Sequence, residues 1–184
     1  MGMKLQLNFL LVVVALVLAI PLNAHEEGFP EETLKAIFPD ATGFTAREKQ
    51  FTAEQVKQIE QASKSKLAGN DNPLHFYVAL GNPADGSGVL GIVALVDASG
   101  PTGAVDLALG VRRDGTVVRV VITENADEAG LSAAAFLDQF KGKSAASPLA
   151  LGKDFNYAGD AKAAEAVLSA VRRGLHMLAV AGGK

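Results

Sequence analysis

Few residues of this 184-residue chain are suited to chemistry, and most of them are carboxylates. Glu124, Asp127 and Glu128 form an acidic cluster directly after a predicted strand. Such a cluster is typical of a solvated loop. The alternative interpretation is that its carboxylates meet the polar edge of a ligand. GxSxG, HExxH and Walker A motifs do not occur in the sequence, so no serine-hydrolase, zinc-protease or P-loop motif is indicated. We assign no catalytic residue, and the chain is not expected to be an enzyme in its own right.

Metal chemistry would depend on three histidines, because the chain contains no cysteine. The lack of cysteine excludes disulfides, thiolate zinc sites, iron–sulfur clusters and thiol catalysis. His176 falls on the polar stripe of the last predicted helix, which favours exposure over ligation. His25 would become the mature amino terminus after signal cleavage, where its amine and ring could bind copper with His75 or His176. Copper binding is therefore a secondary hypothesis, and no metal ligand is assigned.

The amino terminus has the pattern of an export signal. Lys4 precedes an unbroken apolar run, Phe9 to Ile20, which is followed by Pro21-Leu22-Asn23-Ala24. This run is shorter than the roughly twenty residues of a membrane span but suits a signal peptide. Residues 1–24 are therefore predicted to be a cleaved signal peptide, with a retained single-span anchor as the alternative because Leu22 is large for a cleavage site. The protein is then periplasmic or otherwise exported.

The composition predicts one folded domain, residues 25–184. Hydrophobic residues make up 49% of the chain and charged residues 20%, which supplies a core and excludes a disordered chain. The formal charge of -3 excludes a general affinity for nucleic acid. The glycine-rich stretch from Gly81 to Gly91 joins two predicted strands, so it predicts a hairpin loop.

Helix and strand patterns alternate along the mature chain. Thr52 and Gln55 have capping-box spacing, and Asp160 is an N-cap residue type before the longest amphipathic segment. The predicted helices span 31–38, 52–68, 132–140 and 160–180. The predicted strands span 75–80, 89–96, 105–111 and 117–122. This order indicates an α+β fold, with an antiparallel sheet of about four or more strands covered on one side and helices at both ends of the chain.

The last two strands predict a hairpin. Asp114-Gly115 suits the positive φ angles of a type I′ turn with two central residues. This turn would pair Val111 with Val118, Leu109 with Val120 and Leu107 with Ile122. All six side chains would then face the same core.

Four stretches in order resemble a known family. They are Ala36-Ile37-Phe38-Pro39-Asp40-Ala41; Gly91 with the Asp114-Gly115 hairpin; Glu128-Ala129-Gly130-Leu131 with Phe136, Phe140 and Lys141-Gly142-Lys143; and Gly159-Asp160-Ala161 through Val167. Together they resemble the FMN-binding domain of exported flavin-carrying subunits in Rnf and sodium-translocating NADH:quinone reductase complexes, and of nitrous-oxide regulatory membrane proteins. The resemblance covers roughly residues 33–178 and implies the fold of that domain.

The resemblance also implies that covalent flavin attachment has been lost. In the family, the threonine of an S-G-A-T motif carries FMN as a phosphoester, and that motif falls on Ala158-Gly159-Asp160-Ala161. Ala163 and Ala164 replace the hydroxyl residues that follow. A methyl side chain cannot be esterified, and the Asp160 carboxylate would repel a phosphate and compete for the helix amides.

Two interpretations remain open. In the first, FMN or a similar planar ligand binds non-covalently, with Leu131, Phe155 and Tyr157 against its ring and Glu128 and Gly130 at its polar edge; the protein would then carry electrons for a membrane redox complex. In the second, the cofactor is lost and the domain is a binding or structural module. The candidate cofactor-binding residues are Glu128, Gly130, Leu131, Tyr157, Gly159, Asp160 and Ala161.

Overall fold

A computed structural model of the chain describes residues 29–86 and 88–182. The predicted signal peptide and His25 lie outside the described residues. The helices are α1 (Glu31–Ile37), α2 (Ala53–Ser63), α3 (Ala134–Leu137) and α4 (Ala161–Ala181), and the strands are β1 (Gly43–Lys49), β2 (Leu74–Leu80), β3 (Val89–Ser99), β4 (Ala104–Arg112) and β5 (Val117–Asn125). Within these ranges no helix is both long and apolar enough to cross a bilayer.

The five strands form one antiparallel sheet in the order β1-β2-β3-β4-β5. This arrangement, with helices at both ends of the chain, confirms the predicted α+β class. The edge strand β1 was not predicted, because Arg47, Glu48 and Lys49 interrupt its apolar alternation. Charged side chains on an edge strand discourage pairing with other molecules, so the same residues that hide the strand in the sequence suit its position.

The main core lies between one face of the sheet and helices α2 and α4. Val167, Val171 and Leu175 of α4 are buried there against Leu107 and Leu109. Gly174 allows the close approach, because a Cβ at this position would lie 2.9 Å from side-chain atoms of both Leu109 and Val96. Helix α4 therefore sits directly on the central strands, and its amino terminus projects beyond them towards the end of β5.

A buried ion pair fixes α4 to the loop before β2. The Arg173 Nε lies 2.5 Å from the Asp71 Oδ2, and the two side chains are 7% and 1% exposed. Arg173 also donates from Nη2 to the carbonyl of Asp97 in β3 (2.6 Å). Burial raises the pKa of Asp71, against the opposing effect of the Arg173 cation. The pair thus joins three elements in a site with little access to water.

The opposite face of the sheet is also covered in part, so the predicted one-sided cover is wrong. Leu34, Ile37 and Phe38 of the α1 region pack on a second cluster that includes Ala79, Val93 and Ala108. The α1 segment was predicted, but a seven-residue helix gave no indication of the face on which it would pack. Both faces of the central strands are therefore apolar.

The β4–β5 hairpin differs from its prediction at the turn. Gly115 has φ +89, Arg112 N donates to the carbonyl of Thr116 (2.8 Å), and the connection has three central residues instead of two. The Asp114 carboxylate accepts bonds from the Thr116 amide (2.9 Å) and hydroxyl (2.7 Å), which stabilises this longer turn. The predicted type I′ turn is therefore wrong, because Asp114 does not take the positive φ that a type I′ turn requires.

The longer turn changes the register near it. Leu109 pairs with Val120 and Leu107 with Ile122, as predicted, but Val111 pairs with Val117. Val118 is an extra residue in β5 and contacts the second cluster, while Val117 and Val120 belong to the main core. Not all six predicted side chains share one face, because this β-bulge interrupts the alternation.

The helix boundaries follow local signals where these are strong. Thr52 and Gln55 form the predicted capping box, and Asp160 caps α4. Helix α2 ends earlier than predicted, since Lys64 adopts a left-handed conformation (φ 55). The predicted helix from Ser132 is instead a short α3 between two 3₁₀ turns, with no side-chain cap. These turns follow the end of β5 and bring the chain to the start of α4.

Candidate functional site

The amino terminus of α4 is closed by its own capping residue. The Asp160 Oδ1 accepts hydrogen bonds from the amides of Lys162 (2.6 Å) and Ala163 (3.1 Å). These amides are two of the donors that a helix amino terminus would otherwise offer to an external anion. Asp160 and Ala161 are exposed, whereas Ala163 is buried. The cap therefore satisfies the helix end without a ligand.

Glu128 joins the end of β5 to the start of α4. Its Oε2 accepts a hydrogen bond from the Asp160 amide at 2.8 Å. Gly159 leaves room for this contact, because a Cβ there would meet the Glu128 carboxylate, which would have to move away. The turn beginning at Glu128 and the loop 158–160 are thus in direct contact, as the resemblance implies for its two motif segments.

Asp127, a second member of the acidic cluster, connects its own loop to the loop between β3 and β4. The Asp127 Oδ2 accepts bonds from the amides of Thr102 (2.9 Å) and Gly103 (3.2 Å), and these bonds lower the pKa of Asp127. Asn125 donates from Nδ2 to the carbonyl of Glu128 (2.9 Å). Glu124 is exposed on β5. Asp127 and Glu128 therefore have structural partners and are not merely solvated, which the charge pattern alone did not indicate.

An open cleft of about 1000 Å³ lies between the segments 128–139 and 151–159. Aromatic rings lie beneath its surface: the Phe136 centroid lies 4.8 Å from that of Tyr157 and 6.5 Å from that of Phe155. Phe136 and Phe155 are almost fully buried (2% and 0% exposed), and Tyr157 alone of the three is partly exposed. The lining residues are Glu128, Gly130, Ala133, Ala135, Phe136, Gln139, Leu151, Gly152, Phe155, Asn156, Tyr157, Ala158 and Gly159.

The Tyr157 hydroxyl lies at the end of the cleft that Glu128 lines. This oxygen is buried and makes no hydrogen bond of good geometry within the described part of the chain. Gly130 provides the space for it, since a Cβ there would lie 2.7 Å from the hydroxyl. Burial and the neighbouring Glu128 carboxylate raise the pKa of Tyr157 to about 12. The hydroxyl therefore stays protonated near neutral pH, next to the Glu128 carboxylate.

The far wall of the cleft is braced from two sides. Gln139 donates from Nε2 to the carbonyl of Asn156 (2.9 Å) and accepts from its amide (2.8 Å). Leu149 is fully buried with φ 43, a strained conformation for a bulky residue, and its carbonyl accepts a bond from Arg172 Nη2 (2.9 Å). These hydrogen bonds hold the wall of the cleft in place.

The candidate residues from the sequence divide into three groups. Glu128, Gly130, Tyr157 and Gly159 line the cleft. Asp160 and Ala161 lie just beyond it, at the start of α4. Leu131 is fully buried in the main core and is not among the lining residues of the cleft. The side chain points inward because a 3₁₀ turn spans Ala129–Ser132.

Sequence reasoning missed several residues of the cleft. Phe136 appeared only as part of the family resemblance, yet its buried ring contacts those of Phe140, Phe155 and Tyr157 beneath the cleft. Gln139, Leu151 and Asn156 were not considered, because each is unremarkable in its local sequence. The spacing of Phe136 and Phe140 in the sequence was the one available signal, and it pointed equally to an ordinary core.

The residues present do not fit the phosphoester of a flavin. Of the aromatic residues that line the cleft, only Tyr157 is partly exposed and could contact a planar ring. Ala161 has no hydroxyl, two helix amides are bonded to Asp160, and the Asp160 amide is bonded to Glu128. Covalent FMN at Ala161 is therefore incompatible with the chemistry of this site.

Metal ligation finds no support in residues 29–86 and 88–182, where no group of three or more potential ligands is arranged around a common point. His75 is exposed on β2. His176 is half-buried instead of fully exposed, and burial together with the Arg172 cation lowers its pKa. The copper hypothesis depends on His25, outside the described residues.

The sequence matches no protein-family model, and no curated protein shows significant similarity to it. The FMN-binding-domain resemblance therefore depends on its four motif stretches. Two of those stretches contain Glu128 and Asp160, which are in contact in the fold.

Proposed function

We propose that this protein is an exported, FMN-binding-domain-like accessory of electron transfer that binds a small planar ligand non-covalently. The ligand occupies the cleft between the segments 128–139 and 151–159. The protein has no covalent flavin and is not an enzyme in its own right. It serves a membrane redox complex and reaches the periplasm or another exported compartment through its amino-terminal signal.

One observation carries this proposal. The cleft lies where two motif stretches of the family resemblance meet, and the partly exposed ring of Tyr157 lines it, 4.8 Å from the buried Phe136 ring between centroids. Clefts of this volume with apolar floors and a few polar groups are the usual sites of small-molecule binding. The hydrogen bonds of Gln139 and Arg172 brace its wall, so little ordering is needed on binding.

A second candidate function is a binding or structural module without a cofactor. The observation that favours it is the closed end of α4, where Glu128 and Asp160 occupy the amides that a phosphate would need. In this case the fold is retained as a scaffold for protein contacts and the cleft has no resident ligand.

Ligand-free and ligand-bound protein can be distinguished directly. The exported protein is purified without added flavin, and its visible spectrum and intact mass are recorded. A yellow colour that acid releases supports a non-covalent flavin. A colourless protein is then titrated with riboflavin while flavin fluorescence is followed. A mass increase of one FMN would contradict the assignment of Ala161.

A pair of variants in α3 locates the binding. Ala135→Trp places an indole in the cleft, because Ala135 is exposed and lines it. Ala134→Trp places the same side chain one residue earlier, on an exposed position outside the lining residues. Loss of riboflavin binding in the first variant alone supports the cleft. Failure of the wild-type protein to bind any flavin would favour the module without a cofactor.

A further inference from the structure

Phe29, the first described residue, is fixed to the second face of the sheet. Its amide donates a hydrogen bond to the Tyr77 hydroxyl of β2 (3.0 Å), and the centroids of the two rings lie 6.2 Å apart. Both residues pack against the second cluster, whereas α4 packs against the main core on the opposite face. The chain that precedes Phe29 therefore leaves from the face that α4 does not cover.

An exposed histidine lies on this same face. Leu74 and Phe76 of β2 contact the main core, so the alternation of the strand directs His75 and Tyr77 to the other side. Residues two positions apart in a strand are separated by about 7 Å. His75 is exposed, so its imidazole is accessible beside the tyrosine that holds Phe29.

A carboxylate lies opposite this histidine. Glu48 of the edge strand β1 pairs with His75 in the antiparallel register, and it is also exposed. The Cβ atoms of residues directly opposite each other in adjacent strands are about 5 Å apart, which allows two side chains to bind one ion. In residues 29–86 and 88–182 no three potential ligands meet, so a complete metal site here needs a further donor.

The predicted mature amino terminus supplies that donor. Cleavage after Ala24 makes His25 the first residue, with a free amine beside its imidazole. His25 lies outside the described residues, four positions before Phe29, and four residues of chain span at most about 14 Å. That length is about twice the separation of Tyr77 and His75 along β2, so His25 can reach the ring of His75.

The fold discriminates between the two histidines that the sequence leaves open as partners of His25. His176 belongs to α4, whose neighbouring residues Leu175 and Met177 are buried in the main core. The sheet therefore separates His176 from Phe29 and from the residues before it. His75 lies on the same side as Phe29, and it is the partner that the fold favours.

We propose that the exported protein binds one Cu²⁺ ion on the second face of the sheet, through the amine and imidazole of His25, the imidazole of His75 and the carboxylate of Glu48. Three nitrogen ligands and one oxygen ligand suit the tetragonal geometry of Cu²⁺. This proposal goes beyond the function proposed for the cleft, from which it is separate. It depends on the export signal, because only cleavage frees the amine of His25.

Titration of the exported protein with copper sulfate, in competition with a chromogenic chelator, tests the site. Intact mass first establishes that the purified chain begins at His25. We expect binding of one Cu²⁺ per chain, and we expect His75→Asn and His25→Ala each to weaken it at least tenfold. Glu48→Gln should weaken it several-fold, since it removes the charge of the carboxylate and keeps an oxygen.

The matched control is His176→Asn, which removes the histidine of α4 and should leave the affinity for Cu²⁺ unchanged. Electron paramagnetic resonance of the bound ion gives a second readout, because nitrogen ligands split its signal. The spectrum should indicate three nitrogens in the wild-type protein and two in His75→Asn. Circular dichroism of each variant establishes that the fold is retained.

The possible results are distinct. If His75→Asn binds Cu²⁺ as tightly as the wild-type protein, the amino terminus alone chelates the ion and the proposal is overturned. A purified chain that does not begin at His25, or a loss of affinity in His176→Asn equal to that in His75→Asn, would overturn it as well. None of these results bears on the cleft, whose ligand is tested separately by the riboflavin titration.

Discussion

The Glu128 carboxylate accepts a hydrogen bond from the backbone amide of Asp160, 2.8 Å away in space and 32 positions later in the chain. This single bond connects the end of the last strand to the start of the last helix. Asp160 in turn caps that helix through its side chain. The Glu128 carboxylate accepts from the Asp160 amide, and the Asp160 carboxylate accepts from the amides of Lys162 and Ala163. Both carboxylates therefore lie where the resemblance implies a phosphate.

Replacement of Glu128 tests the contribution of this bond to stability. Glu128→Ala should lower the free energy of unfolding by about 1 kcal/mol or less, because an exposed hydrogen bond to a charged acceptor is lost and water can replace the acceptor at the amide. Glu128→Gln keeps an acceptor and should cost less than about 0.5 kcal/mol. Urea denaturation followed by circular dichroism measures both values. Equal losses in the two variants would show that charge, and not the hydrogen bond, is what stabilises the contact.

Replacement of Asp160 tests the cap of α4. Asp160→Ala should cost about 0.5–2 kcal/mol, because the amides of Lys162 and Ala163 lose their acceptor. Asp160→Asn retains a good capping oxygen and should cost only a few tenths of a kcal/mol. The midpoint of chemical denaturation reports the difference. If asparagine proves as damaging as alanine, the geometry of this cap is contradicted.

The buried pair of Arg173 and Asp71 predicts a much larger effect. Arg173→Met should destabilise the protein by about 3–5 kcal/mol, because it leaves the Asp71 carboxylate buried without a counter-ion. Arg172→Met is the matched control on the same helix. It loses one hydrogen bond to the Leu149 carbonyl and should cost about 1 kcal/mol. Similar losses of unfolding free energy in the two variants would contradict the assignment of Arg173 as the buried counter-ion of Asp71.

Alkaline titration tests the environment of Tyr157. Burial and the Glu128 carboxylate raise its pKa to about 12, above the ordinary value of 10.0. Since the folded state retains the proton longer than the unfolded state, this group stabilises the fold below pH 10, and its contribution is lost as the pH rises from 10 to 12. The chain has two tyrosines. Phenolate absorbance should therefore show a late step near pH 12 that Tyr157→Phe removes.

Local chemistry explains which parts of the fold could be predicted. The capping box at Thr52 and the cap at Asp160 involve residues two or three positions apart, so the sequence contains the whole signal. The pairs Leu109–Val120 and Leu107–Ile122 follow from alternation. The β1 strand and the contact of α1 with the second face depend on tertiary packing, which no local pattern encodes.

The candidate site was predictable only in part, and for a similar reason. Nothing near Glu128 indicates that its carboxylate reaches Asp160, and the motif resemblance alone placed the two segments together. Leu131 was assigned to the ring on its apolar character, although the 3₁₀ turn directs that side chain into the core. Phe136 was named only as part of the family resemblance, and its position at the cleft, against the Tyr157 ring, is seen only in the structure.

The extra residue at Val118 has a consequence for the length of β5. Val117 and Val120 face one apolar layer, and Val118 and Val121 face the other, so the strand changes sides between residues 117 and 120. Deletion of Val118 would remove the bulge and leave Val117 and Val120 on the same face with one residue between them, as strict alternation requires. Deletion of a residue elsewhere in the strand would instead move the residues beyond it to the opposite layer, so the tolerance of β5 to a change of length depends on whether the bulge absorbs it.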